Sequence, residues 1–327
     1  MYGALGALGT PVVRSDAVGI WATGDFWWEV PPTVRVRLDG RLPDGSCGKD
    51  LALALCSTFD GGEVSNSIVE ITGPGVAALT MEDRFTVANM TTEWGALAGI
   101  FPVDGLTVAW LEQVRRDLIK RGVRRFTREQ LEEWTLGPLT PDEDAEYAAT
   151  IEVDLSTVGC GINGPHAPSG RATPGEVIPV DRAFLVGCAN ARLGDLETAA
   201  KVLRGKRVHR RVRFYVAAAS RAVQDEAVRS GIWDDLIAAG ARTLPPGCAM
   251  CIGLGEGLLE AGEVAISATN RNYPGRMGAV DSQAWLASPR FVAEAALAGE
   301  IRVPESRPLR AHIDVATIEG PVVDGAS

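Results

Sequence analysis

The sequence predicts an α/β protein, a mainly parallel sheet with helices on both faces. Three observations lead there. In Thr33–Asp39, Val34, Val36 and Leu38 alternate with Arg35 and Arg37, the period of a half-buried strand, and helical spacing follows over Lys49–Phe59. In the second half the chain repeats a strand, a turn of glycine or small residues, and a helix. One such turn carries a cysteine, Cys188, where open parallel sheets bind ligands, beyond the carboxyl ends of the strands.

The remaining elements follow in order. Val108–Arg121 has helical spacing, with Val108, Leu111, Val114 and Leu118 on one face. Thr127 and Gln130 form a capping box that opens a short helix through Trp134. The acidic, proline-bearing stretch 137–148 (GPLTPDEDAEYA) is the expected linker between two domains, 1–145 and 150–327. A strand then ends at Phe184–Gly187, a helix covers Leu196–Leu203, and Val212–Ala218 is the next strand. Ser220 caps a helix to about Ser230. Trp233–Ala239 is a further short helix leading to Cys248. Ser288 and Pro289 are a cap and first-turn proline opening a helix over Phe291–Ala298, which Gly299 stops. No internal repeat and no low-complexity segment interrupts this order.

Composition narrows the function. At 327 residues the chain holds one large or two medium domains. A net charge of −10 argues against general binding to nucleic acid or anionic membrane, and requires that an anionic substrate be drawn in by local arginines. No apolar stretch reaches the roughly twenty residues of a membrane span. The first residues carry neither a signal-peptide nor a transit-peptide pattern, so the expectation is cytoplasmic, or mitochondrial for a longer product. Six cysteines in a chain this long indicate a reducing compartment rather than a disulfide scaffold.

Three cysteines stand out: Cys188 in FLVGCANAR, then Cys248 and Cys251 in PPGCAMCIGLG, sixty positions later (248 − 188). Three thiolates on a [4Fe–4S] cluster would leave one iron without a protein ligand and free to act as a Lewis acid. Four would suggest an electron carrier or a structural zinc. The plainer alternative is three packed thiols. Cys47, Cys56 and Cys160 read as structural, and His166, His209 and His312 share no metal-ligand spacing. The basic run Arg204–Phe214 (RGKRVHRRVRF) reads as a solvated helix end rather than an RNA-binding site.

GCANAR and PPGCAMCIG are followed by ISATNRNYPGRMG and WLASPRFVAEAALAGEI. Upstream lie TGDFWWEVPPTVRVRL, GKDLALALC and MEDRFTVANMTTEWGALAGIFPVD. Together, from about Tyr2 to Arg302, these resemble the aconitase family of hydro-lyases, most similar in wording to its fungal homoaconitase branch, with isopropylmalate dehydratase large subunits next. The resemblance implies three-layer αβα domains with mainly parallel sheets, the second and third domains of that family. It implies Cys188, Cys248 and Cys251 as ligands of a [4Fe–4S] cluster, and Asn270, Arg271 and Arg276 as contacts to cluster and substrate carboxylate. It implies Glu93 as the glutamate beside the open iron and Asn89 as a substrate or cluster contact, with Asn190 and Arg192 near the cluster.

The activity so implied is dehydration and rehydration of a hydroxy di- or tricarboxylic acid of homocitrate or homoaconitate type, in lysine or specialised amino-acid precursor biosynthesis. Two departures touch the site. Gly187-Cys188-Ala189-Asn190 stands where the family has Ser-Cys-Thr-Asn, and Ala249-Met250 where it has Gly-Pro. The sequence also reads as truncated at both ends of the family pattern. The family's catalytic histidines and the serine base then fall outside it, along with the swivelling domain. General acid–base groups contribute about 10²- to 10⁴-fold, so the chain alone is expected to be a poor dehydratase that needs a small partner subunit for its base. The competing reading is a truncated, non-catalytic duplicate that acts as a cluster-binding or regulatory module.

Overall fold

A computed structural model describes residues 1–137, 140–159, 161–305 and 308–315. Cys160 and two positions of the expected linker, Pro138 and Leu139, lie outside the described residues.

Helix α1 (Arg14–Thr23) buries none of its residues and ends at Gly24. Strand β1 (Thr33–Asp39) has the expected bounds and alternation: Val34, Val36 and Leu38 are buried. On the other face Arg35 stacks on the Tyr147 ring at 4.8 Å and Arg37 pairs with Asp39.

Helix α2 (Gly48–Thr58) begins at Cys47, whose amide donates to the Asp50 carboxylate at 3.0 Å. Lys49, Asp50, Leu51, Ala52, Leu53, Leu55 and Cys56 are all buried. A helix buried on nearly every side sits between layers, and each buried leucine there contributes about 1.5–3 kcal/mol. Strand β2 (Ile68–Thr72) runs parallel to β1. Helix α3 (Met81–Met90) is opened by Thr80, whose hydroxyl accepts from the Asp83 amide at 3.1 Å.

Strand β3 (Ala98–Ile100) follows, parallel to β2. Helix α4 (Gly105–Lys120) starts three residues before its expected first position because Asp104 caps it, accepting from the Thr107 amide at 3.1 Å. Its expected inner face of Val108, Leu111, Val114 and Leu118 is half-buried. Helix α5 (Arg128–Leu136) carries the expected Thr127–Gln130 capping box. Strand β4 (Ala149–Asp154) is parallel to β1 on its other side. The chain therefore passes to the second sheet after Asp154, and we propose that the two domains divide with the sheets.

The second sheet is entered through the short β5 (Ile162–Asn163) and β6 (Val177–Pro179). Then come β7 (Arg182–Val186), α6 (Leu193–Leu203), β8 (Arg213–Ala217), α7 (Arg221–Arg229), α8 (Ile232–Ala239) and β9 (Arg242–Thr243). Strands β10 (Val264–Ser267) and β11 (Gln283–Ala287), helix α9 (Pro289–Ala298) and β12 (Glu300–Arg302) complete the set. The sheet order is β5-β11-β10-β7-β8-β9, parallel throughout except for β5. β12 pairs with β6 as a separate antiparallel ribbon, and β13 (Ala311–Val315) returns to the first sheet, antiparallel to β4.

All five residues of β7 are buried, and after Arg182, which pairs with Glu263, the strand reads as a continuous apolar run rather than an alternation. Leu196 and Leu203 of α6, Leu236 of α8 and Val292 of α9 share one apolar core with Leu185 and Val216. Phe184, Val186, Tyr215 and Ala217 belong to another, with Met250, Cys251 and Met277 from turns. Leu286 of β11 reaches into the core of the first sheet, so α2 and α3 lie at the seam between the sheets.

Close approach at the seam rests on Gly48, whose amide donates to the Asp83 carboxylate at 2.6 Å. A Cβ on Gly48 would lie 2.6 Å from Asp83 Cα and 2.7 Å from its carbonyl oxygen. We expect Gly48→Ala to lower the urea-unfolding free energy by about 1–3 kcal/mol. Gly19→Ala in α1, where a Cβ meets nothing within 4 Å, should be neutral or gain up to about 1 kcal/mol. Equal effects at both positions would show that the α2–α3 contact is not tight.

Candidate functional site

Segments from both sheets converge at the seam. Cys188 follows the end of β7 directly after Gly187, which takes φ +91° and so favours glycine over the serine of the expected pattern. Cys248 caps a 3₁₀ turn over Ala249–Ile252 that contains Cys251, with the Cys251 amide on the Cys248 carbonyl at 2.9 Å. Asn270 and Arg271 leave the carboxyl end of β10 through Ser267 and Thr269. From the first sheet, Glu93 stands on a 3₁₀ turn (Thr91–Trp94) that continues α3.

The Glu93 side chain is 1% exposed, and its carboxylate is held from the opposite sheet. Arg271 Nε donates to its two oxygens at 2.8 and 3.0 Å, and Asn270 Nδ2 donates to Oε1 at 3.0 Å. The Cys251 thiol lies 3.8 Å from Asn270 Oδ1, a weak sulfur contact that links the carboxylate grip to the cysteine turn. The structure thus brings Glu93, Asn270, Arg271 and Cys251 together. Arg276 is close enough to bear on the Cys251 thiol, and its buried Nε has no partner. Asn89 Oδ1 is likewise buried without a partner.

Burial pushes the Cys251 thiol up to about 11, with Cys248 and Cys188 adding to the rise and Arg276 and Lys49 opposing it. Desolvation also raises Cys188, reinforced by Cys248 and opposed by Arg192. None of the three thiols is in a disulfide. Among the described residues no three His, Cys, Asp or Glu side chains could hold one metal ion.

Several charged groups at the seam escaped the sequence reading. Lys49 is wholly buried and donates to the Thr269 carbonyl at 2.6 Å, and burial lowers it to about 8. Its signal was a cation in the first turn of an otherwise apolar helix. Arg192, placed only loosely from sequence, clamps the Cys188 loop to α3. It donates to the carbonyls of Ala189 at 2.8 Å and Glu82 at 3.2 Å and stacks on Phe85 at 5.1 Å. Asp195 is buried beneath, accepting from the Arg192 amide at 3.1 Å and from Asn190 at 3.3 Å. Cys56 is buried on α2, and Cys47 lies at the α2 cap beside Asp50. In the basic run, Arg204 pairs with Asp235, Arg213 with Glu263, and Arg211 donates to the Gly299 carbonyl.

Fold and site together define an α/β protein that gathers thiols, a buried carboxylate and guanidinium groups at the carboxyl ends of parallel strands. The sequence matches the family described as Aconitase family (aconitate hydratase) over residues 1–177 and 169–299. The mitochondrial homoaconitase of Eremothecium gossypii is 51% identical over 314 residues, 93% of this chain and 46% of that protein. Those of Mycosarcoma maydis and Cryptococcus neoformans var. neoformans are each 48% identical, over 93% and 94% of this chain and 44% and 45% of their own lengths. The chain belongs to the aconitase family, and it spans a little under half the length of these relatives. No helix among the described residues is long and apolar enough to cross a membrane.

Asp195 gives the fold a distinct pH dependence. Burial, reinforced by Glu82, raises it from the ordinary 3.8 to about 7. A carboxyl with a raised folded pKa keeps its proton when folded at pH values where the unfolded chain has lost it. Its contribution therefore favours folding at low pH and is lost as pH rises from 3.8 to about 7. In Asp195→Asn, unfolding free energy followed by urea titration should fall less over this window than in the wild type. An identical slope would show that Asp195 does not carry the effect.

Proposed function

We propose that this chain carries the iron–sulfur portion of an aconitase-type hydro-lyase. It would act on a hydroxy di- or tricarboxylic acid of homocitrate or homoaconitate type, in lysine or specialised amino-acid precursor biosynthesis. The observation that carries the reading is the buried Glu93 carboxylate, gripped by Asn270 and Arg271 at 2.8–3.0 Å beside Cys251.

The donor set fits a [4Fe–4S] group. Cys188, Cys248 and Cys251 are free thiols, and cysteine sulfur is what holds iron–sulfur clusters. The orphaned Nε of Arg276 and Oδ1 of Asn89 are polar atoms still awaiting a partner. When bound, such a cluster supplies an iron without a thiolate ligand as a Lewis acid.

The chain's own residues supply the rest. Arg271 contacts Glu93 through Nε alone, and its side chain is 37% exposed. The remaining nitrogens of its planar guanidinium are free to take a substrate carboxylate by a two-bond fork. Arg276 adds a second cation for the same anion. Glu93, fixed by donors from the other sheet, orients the leaving or attacking hydroxyl. Asn89 Oδ1 accepts from a substrate hydroxyl. A serine base would reach the site from a small partner subunit or from a further part of the same protein. The mitochondrial setting of the relatives supports the organellar alternative for location.

The test is anaerobic iron–sulfide reconstitution followed by iron counting and EPR after mild oxidation. A three-iron signal in the wild type, lost in Cys188→Ala, is the expected result. A folded chain that takes up no iron would overturn the reading.

A further inference from the structure

Lys49 is a buried charge that the site described above leaves unexplained. It is wholly buried, and among the described residues its ammonium has one oxygen acceptor, the Thr269 carbonyl at 2.6 Å, plus the weak Met90 thioether at 3.4 Å. No carboxylate lies within ion-pair range of it among the described residues. Burying an ammonium with so few partners is costly, and an apolar side chain of similar length would fill the space more cheaply.

Adhesion between the sheets does not explain it. Asn163 Nδ2 on the Leu53 carbonyl at 2.9 Å, Thr86 Oγ1 on the Ala189 carbonyl at 3.0 Å and the Arg192 bonds already span the seam. What sets Lys49 apart is the carbonyl it chooses. Thr269 is the last residue before Asn270 and Arg271, the two side chains that grip Glu93. Its amide is held by Ser267 Oγ at 3.1 Å, and its hydroxyl meets the same oxygen at 2.9 Å. The carbonyl is the one polar group of Thr269 fixed from the other sheet, and it begins the peptide plane from which Asn270 departs.

We propose that Lys49 is a positioning residue whose ammonium fixes the Thr269 carbonyl and thereby aims the Asn270–Arg271 pair at Glu93 and Cys251. The purpose of that turn rests on the function proposed above, but the positioning itself is read on the metal-free chain. Failure to take up iron would sink the functional reading and leave this inference standing on its own result.

The experiment is hydrogen–deuterium exchange of the full metal-free chain, wild type against Lys49→Met and Lys49→Arg. Met keeps length and apolar bulk without a strong donor, and Arg keeps donors and charge. With Met we expect exchange in 270–276 and 91–95 to rise roughly tenfold while β7 and β8 stay as in the wild type. Arg should return protection toward the wild-type level. Should Lys49→Met need a stabilising osmolyte to fold, wild type and both variants are compared in that osmolyte. Unchanged exchange in 270–276, uniform acceleration across the chain, or Arg behaving like Met would each overturn the proposal.

Discussion

The Glu93 carboxylate is removed from water, and apart from a long bond from the adjacent Thr92 hydroxyl its donors among the described residues come from the other sheet. A buried carboxylate stripped of its partner costs about 3–5 kcal/mol, so the two halves are held in one relative placement wherever Arg271 and Asn270 stay in reach. Exposed pairs such as Lys201–Glu197 contribute far less, because water and salt screen them. The position of the sheets is therefore decided at the seam, not on the surface. The same contacts that fix it place a carboxylate, a guanidinium and a thiol side by side.

Helices α2 and α3 are what make such a seam possible. A helix with one apolar stripe would cover one sheet and leave the other wet. α2 is apolar on nearly every side, so both sheets pack on it, and its buried N-terminal charges have to be answered by backbone across the seam. Gly48 lets α3 come within contact of that end, and α3 then carries Asn89 and the Glu93 turn to the site.

Local pattern made some of this legible and left other parts dark. β1 was readable because one of its faces is half-exposed, so polarity alternates along it. The helix caps at Thr127 and Ser220 were readable because the capping oxygen lies within three residues of its donor. β2, β3 and β4 are short and bounded by ordinary residues, and their hydrogen bonds go to strands far away in sequence. α3 was missed as a helix because it is buried on most sides and shows little amphipathic period. Spacing also could not say that Glu93 meets Arg271, 178 positions away. Family resemblance named both residues as site residues but not their pairing, and the partners of Lys49 and Asp195 came from neither source.

The chain is strongly acidic, yet the site is lined with cations: Lys49, Arg192, Arg271 and Arg276. The two facts are compatible because distant surface charge is screened within about 8 Å at physiological ionic strength, whereas buried charge is not. Over the last few ångströms an anion would feel these four groups rather than the net charge of the whole. The same field bears on the thiols. Burial holds Cys251 protonated near neutral pH, while Arg276 and Lys49 pull the other way. A group that takes thiolates must displace those protons, so its loading would weaken as pH falls. The cations lower that cost without being ligands, which links the buried lysine of one sheet to the chemistry at the edge of the other.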